Sequence, residues 1–345
     1  EVHALYKKLK ASVALPSDPA GGCPPPVPAS PYPLPPLTPG GGGESSPLAA
    51  LVATVHKSTL QHASMAAQPH ISPDVSRTSH GEDCEKRFGL GLADEWRKHE
   101  QEWCSPDEKG KRLGLPPASI RCYPYSHKHK QESARGSKPD MFCEGENIAI
   151  DFSKIRETRV TSKLNRYLDF DRGATLASCE KTKNWARQAP FMPHMALQFM
   201  GPKFLSAPDL PASLPPVKVE ETPTYLLARD EDCENMFHSS ADHLNVLLVG
   251  LILGLDFREL QVVLFDKHKD GPFFDLIETA FSPNHPLKRP KDYKGVVLFR
   301  RLVWHLESPA GIVFPKTGGR AGLMRCRESS LWHEYRAHVL KSFNL

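Results

Sequence analysis

The chain has 345 residues, 33 of them proline, and a formal net charge of +4. That length accommodates two domains, and the small charge, with acids interspersed among the Lys and Arg residues, leaves no nucleic-acid footprint. No apolar run reaches the roughly 18 residues that a membrane-spanning helix needs.

Residues 16–47 hold twelve prolines, and Gly40 to Gly43 form a run of four glycines. Such a segment has too little apolar surface to offset the entropy of ordering it. Residues 1–80 are therefore expected to be a disordered stem or linker. A docking motif at Pro33-Leu-Pro-Pro is the lesser alternative. Residues 81–140 form a Cys- and Trp-containing region, with Trp96 and Trp103 as its anchors and Lys128-His-Lys as a solvated basic loop.

None of the eight cysteines has a CxxC neighbour, which argues against a zinc ribbon or a thioredoxin-like site. Cys84, Cys104 and Cys122 suit a disulfide-stapled subdomain in an oxidising compartment, or scattered buried thiols in a reducing one. The sequence leaves the pairing open. It contains no Asn-x-Ser/Thr sequon.

Beyond residue 140 the pattern becomes regular. Asn147 to Phe152 alternates as a short strand. Residues 161–215 are interrupted by Pro and Lys, and Leu210-Pro-Ala-Ser-Leu-Pro-Pro marks a linker. Thr224 to Ala228 is a strand. Met236 to Gly254 is a helix, capped by Ser239 or an upstream Asp or Asn and stopped by Gly254. Gln261 to Asp266 is a buried strand. Phe273 to Phe281 is a short helix. Val296 to Phe299 and Gly311 to Phe314 are further strands, and Glu328 to Phe343 is an amphipathic helix. This alternation predicts an α/β fold with a parallel, doubly wound, three-layer sheet, in which Val262 to Phe265 is a central strand.

His238, Asp242 and Asn245 fall at i, i+4 and i+7 of the long helix and so share one face. Their apolar neighbours are core residues, so the stripe must meet water, a partner or a cleft. It equally suits a solvated helix N-terminus. Asp266 ends an apolar strand, where open α/β sheets place their sites, or else opens the polar turn Asp266-Lys-His-Lys-Asp-Gly. Arg300 and Arg301 follow a strand and would face an acceptor or phosphate, or simply solvent. Asp169-Phe-Asp171 has the spacing of a metal-binding carboxylate pair, but such tripeptides are common. Asp230-Glu-Asp232 reads as a turn. No Gly-x-Ser-x-Gly, P-loop or His-Glu-x-x-His is present, which removes hydrolase, kinase and metalloprotease readings.

Six pieces of the sequence carry a family resemblance. Pro223-Thr-Tyr-Leu-Leu, Asn235-Met-Phe-His-x3-Asp242 and Val262-Val-Leu-Phe-Asp266 resemble the N-terminal half of glycosyltransferase family 61. Cys143-Glu-Gly-Glu-Asn-Ile-Ala-Ile-Asp-Phe-Ser-Lys-Ile155 is similar to a stretch of plant N-glycan core β-1,2-xylosyltransferases. Gly295-Val-Val-Leu-Phe-Arg-Arg-Leu-Val and Cys326-Arg continue the order. The EGF-domain O-linked N-acetylglucosamine transferases are more distantly similar. The resemblance covers residues 140–345.

It implies that residues 141–345 are the N-terminal, acceptor-side, Rossmann-like half of a GT-B glycosyltransferase, with no counterpart here of the donor domain. It implies an inverting transfer of a sugar, xylose foremost, from a UDP-sugar to a glycoprotein glycan. Asp242 would be the general base with His238 orienting it or replacing it, and Asn245, Asp266 and Arg300 would bind substrate. No metal and no cofactor beyond the UDP-sugar substrate are expected, and no nucleic acid. The layout implied is that of a type II protein of the Golgi or endoplasmic-reticulum lumen. Its contact with the membrane would come only through an anchor that this chain, which opens on Glu1, does not contain. The alternatives are transfer of N-acetylglucosamine to EGF-type domains and a catalytically inactive glycan-binding fragment.

Overall fold

The computed structural model describes residues 79–107, 114–125, 140–157, 168–188, 204–215, 217–229, 235–306 and 329–345. Contacts divide the chain into two units, Val27–Cys84 and the remainder, Glu1–Pro26 with Glu85–Leu345. Of the first unit only residues 79–84, the opening of helix α1 (Ser79–Phe88), are described. Residues 1–78 of the expected stem, the turn at 230–232 and the strand at 311–314 lie outside the described residues, and the last two stem residues open α1.

The larger unit is built on a nine-stranded mixed sheet. Three strands form an antiparallel meander in which β2 (Ser119–Tyr125) lies between β1 (Gln101–Pro106) and β3 (Asp140–Asp151) and runs opposite to both. β7 (Cys179–Lys181) pairs antiparallel with β1, and β6 (Thr175–Leu176) with β3. The other half is parallel: β9 (Thr224–Leu227) lies between β10 (Gln261–Leu264) and β11 (Val296–Trp304), and β8 (Val217–Glu220) also runs parallel to β11. β11 joins the halves, since its other edge pairs antiparallel with β3 over eight residue pairs. A separate two-stranded ribbon joins β4 (Ile155–Glu157) to β5 (Leu168–Phe170).

The α/β class holds, but two finer expectations are corrected. The sheet is mixed rather than parallel throughout. β10 is its end strand, not a central one. Its four residues are fully buried all the same, because both faces are covered. Val262 and Leu264 point to one core, Val263 and Phe265 to the other, as the period of two requires.

The first of those cores is helical. It is roofed by α2 (Gly91–Arg97), α4 (Met236–Leu253), α5 (Phe274–Phe281) and α6 (Ser330–Ser342). The opposite face carries no comparable helix layer among the described residues. Trp103, Trp185 of the short helix α3 (Lys183–Gln188), Phe204, Phe152 and the β4–β5 ribbon cover it instead.

Helix α4 begins and ends where its local chemistry dictates. The Asn235 side chain accepts from the Phe237 amide as the N-cap, and Gly254 closes the helix in the left-handed region at φ 64°. By length and composition α4 would pass as a membrane span, yet two thirds of that window is buried inside the fold.

The Cys143–Ile155 stretch proves to be built into the middle of the sheet. Cys143 bonds Cys122 on the neighbouring strand. Glu144, almost fully buried, accepts from Arg121 at 2.9 Å and from Arg301 at 2.6 Å. Gly145 lies under the Trp304 ring, where a Cβ would approach ring carbons to 2.9 Å. Arg300 and Arg301 are thus mid-strand residues of β11, not residues beyond its end. Arg300 is paired with Glu221 and with the Asn147 side chain. A second disulfide, Cys104–Cys179, ties β1 to β7, and all five described cysteines are disulfide-bonded.

Candidate functional site at the carboxyl edge of the parallel strands

Three parallel strands end side by side, and each delivers a polar residue just past its last rung. β9 is followed by Arg229, β10 by Asp266 and β11 by His305. Helix α4 brings Asp242 and Asn245 to the same edge. All five are buried, so each must find partners within the fold.

Arg229 and Asp266 form a two-pronged ion pair. The guanidinium donates to Asp266 Oδ1 at 2.8 Å and to Oδ2 at 3.0 Å, and the Arg229 amide also donates to Oδ2 at 3.0 Å. The His268 amide donates to Oδ1 at 2.9 Å. Burial by itself would raise the Asp266 pKa, but the Arg229 charge and these hydrogen bonds outweigh it and hold the carboxyl down at about 2. Asp266 sits where a site residue of an open sheet belongs, with its lone pairs committed to shaping that site.

The expected stripe on α4 also exists, and it faces the carboxyl end of β11. Asn245 donates to the Leu306 carbonyl at 3.0 Å. Asp242, 1% exposed, lies with Oδ1 3.6 Å from His305 Nε2. The other ring nitrogen, Nδ1, is 2.8 Å from the Tyr225 hydroxyl. The Leu306 amide donates to the Tyr225 oxygen, so the His305 ring is bracketed by the Tyr225 hydroxyl at Nδ1 and the Asp242 carboxyl at Nε2. At 3.6 Å that approach is electrostatic, longer than a hydrogen bond. His238, one turn earlier, is half-buried, with its ring edge-on to Phe237. His243, fully enclosed, has its pKa pulled down to about 3 by burial, with Arg229 and His305 adding to the effect.

Two cavities flank this edge. On the helix side, Arg229, Ser239 and Asp242 face Gly271 and Phe274 across about 10 Å³, the room one water occupies. On the other side a cavity of about 550 Å³ opens at the end of β10. Asp266 lines it, so the Arg229–Asp266 pair separates the two. Its floor is apolar, from Phe152, Ile155 and Leu168, and its polar lining is dominated by Arg156, Lys267, Lys269, Arg289 and Lys291. That size is ordinary for a small-molecule site.

Of the five residues singled out in the sequence, Asp242, Asn245 and Asp266 come together at one edge. His238 lies a turn away from Asp242, and Arg300 belongs to the middle of the sheet. The sequence reading missed His305, Arg229 and Tyr225. His305 and Arg229 had the same signal as Asp266, a polar residue directly after an apolar strand. Asp171 pairs with Arg156 at 2.5 Å, and among the described residues no cluster of His, Cys, Asp or Glu is arranged to hold a metal. No family model matches the chain, and no curated protein matches it significantly.

Proposed function

We propose that this chain is the acceptor-side part of an inverting glycosyltransferase similar to family 61, with a Rossmann-like GT-B organisation. It moves a sugar, xylose foremost, from a UDP-sugar to a glycoprotein glycan in the Golgi or endoplasmic-reticulum lumen. What supports the reading is the gathering of Asp242, His305, Arg229 and Asp266 at the carboxyl ends of parallel strands, beside a cavity of ligand size. Two disulfides among the described cysteines fit an oxidising compartment.

In this reading the Asp242 carboxylate takes the proton from the acceptor hydroxyl as its oxygen attacks the anomeric carbon. The bond from that carbon to the UDP oxygen breaks, and UDP leaves with the electron pair. His305, with Nε2 toward Asp242, steadies the carboxylate from behind, and His238 lies on the solvent side. The small cavity beside Gly271 and Phe274 has room for one water, so the acceptor hydroxyl meets Asp242 only once the Gly271–Phe274 wall moves aside.

The test is turnover by the full-length protein with UDP-xylose and UDP-N-acetylglucosamine, each on an N-glycan core and on an EGF-type domain. Transfer of xylose to the glycan is expected. Asp242→Asn should then lose about 10²–10⁴-fold in rate with an unchanged unfolding midpoint. Transfer only of N-acetylglucosamine, and only to the EGF-type domain, would move the chain to the alternative activity. The near-complete burial of Asp242 favours a second reading, an inactive glycan-binding module. No transfer from either donor, with glycan binding retained, would establish it.

A further inference from the structure

The cavity at the end of β10 is not needed by the buried Asp242 network, and its chemistry is different. We infer that it is a binding site for a small molecule carrying a diphosphate, with the anion held at the cationic rim and a sugar or base ring on the apolar floor.

The charge balance of the lining carries the inference. Five cationic side chains face the cavity against two carboxylates, Asp266 and Asp270. Both carboxylates are already neutralised: Asp266 by Arg229, which lies outside the cavity, and Asp270 by Arg289 at 2.6 Å. Arg156 is engaged by Asp171. Among the described residues, neither Lys269 nor Lys291 takes part in an ion pair, and both project from the wall of the same concavity. Two lysines at one mouth repel each other unless an anion lies between them. A compact dianion next to ammonium groups makes short, charge-assisted hydrogen bonds.

The wall is also built to hold its shape. The Asp266 carboxylate, bound by the Arg229 side chain and by two backbone amides, fixes the turn that carries Lys267, His268 and Lys269. On the facing side, the Arg289 amide donates to the Asp292 carboxylate at 2.7 Å and the Asp292 amide donates to the Arg289 carbonyl at 3.0 Å, which closes the turn around Pro290 and Lys291. Phe152 and Tyr293, both in the cavity lining, stack at 4.6 Å. An open concavity of about 550 Å³ has room for a nucleotide-sized molecule. This inference does not rest on the transferase reading, since a chain that transfers no sugar would still bind.

The experiment is calorimetric titration of the whole protein with pyrophosphate, UDP and uridine at low and high salt. Pyrophosphate and UDP are expected to bind, UDP the more tightly, and uridine not to bind measurably. The paired substitution Lys269→Gln and Lys291→Gln should weaken both anions roughly tenfold or more, as the loss of about 1.4 kcal/mol would. Both lysines are exposed and outside any described ion pair, so the variant should keep the wild-type unfolding midpoint. Lys98→Gln, on the opposite face of the sheet, should leave binding unchanged. Raising the salt should weaken the wild type more than the double variant. Failure of both anions to bind, binding that survives the paired substitution, or uridine binding as well as UDP would overturn the inference. Pyrophosphate binding as tightly as UDP would overturn the place given to the ring.

Discussion

The two halves of the sheet solve the same problem with different chemistry. The antiparallel half, β1, β2, β3 and β7, is cross-linked by Cys104–Cys179 and Cys122–Cys143, and its buried charge, Glu144, is held between Arg121 and Arg301 in the body of the sheet. The parallel half has no cross-link among the described residues. It ends instead in buried polar residues collected at one edge. The first arrangement fixes a scaffold. The second concentrates desolvated, oriented groups where chain connections leave the sheet, which is where ligand sites form.

The difference can be broken from either side. Replacing both cysteine pairs by alanine should produce the largest loss of stability. Loop closure over sequence separations of 75 and 21 residues corresponds to about 4.5 and about 3 kcal/mol. The urea midpoint of the non-reduced wild type against the four-alanine variant measures this, and an unchanged midpoint would mean the bonds contribute nothing.

On the parallel side, Asp266→Ala strands a buried guanidinium and should cost about 3–5 kcal/mol. The double change Arg229→Met with Asp266→Leu removes both charges and should recover most of that, in the same urea assay. If the double change is as damaging as the single, the pair contributes more than mutual compensation.

Acid should loosen the parallel half first. His243 is held neutral in the fold, with a pKa of about 3 against an ordinary value near 6.5, so the unfolded chain takes up a proton that the fold refuses. Its contribution is fully present above pH ~6.5 and is lost as pH falls from there toward 3, at about 1.4 kcal/mol per unit. Asp266, depressed to about 2 from 3.8, adds a further loss below pH ~4. His243→Gln should flatten the profile between pH 6 and 4. An equally steep profile in that variant would place the proton uptake elsewhere.

The smallest effect is local. Asn235→Ala removes the α4 cap and should cost about 1 kcal/mol, read from the thermal midpoint.

How much of this the sequence disclosed follows from what is local. Helix α4 was legible almost to the residue, because Asn235 and Gly254 act on their own neighbours. So was the carboxyl end of β10, since Asp266 follows a run of four apolar residues. The rank of β10 within the sheet was not, because strand order is set by pairings with Thr224–Leu227 and nothing in Gln261–Leu264 encodes an end position. β1 and β2 escaped notice because their charged residues, Glu102 and Arg121, alternate with buried ones that packing alone reveals. Arg300 misled for a related reason: a pair of arginines looks like a strand's end until Glu144 and Glu221 are seen beside it. The Asp242 stripe was correctly placed on one helix face. What it faced, His305 and Leu306, lies about 60 residues further along the chain, beyond any local pattern.

The claim that unites these observations is that ligand meets this protein at the carboxyl edge of the parallel strands. Amide hydrogen exchange on the whole protein, with and without saturating UDP-xylose, tests it most directly. The account predicts slowed exchange in residues 264–270 and 288–293, with no change in β1, β2 or β7. Protection confined to the antiparallel half, or none anywhere, would contradict it.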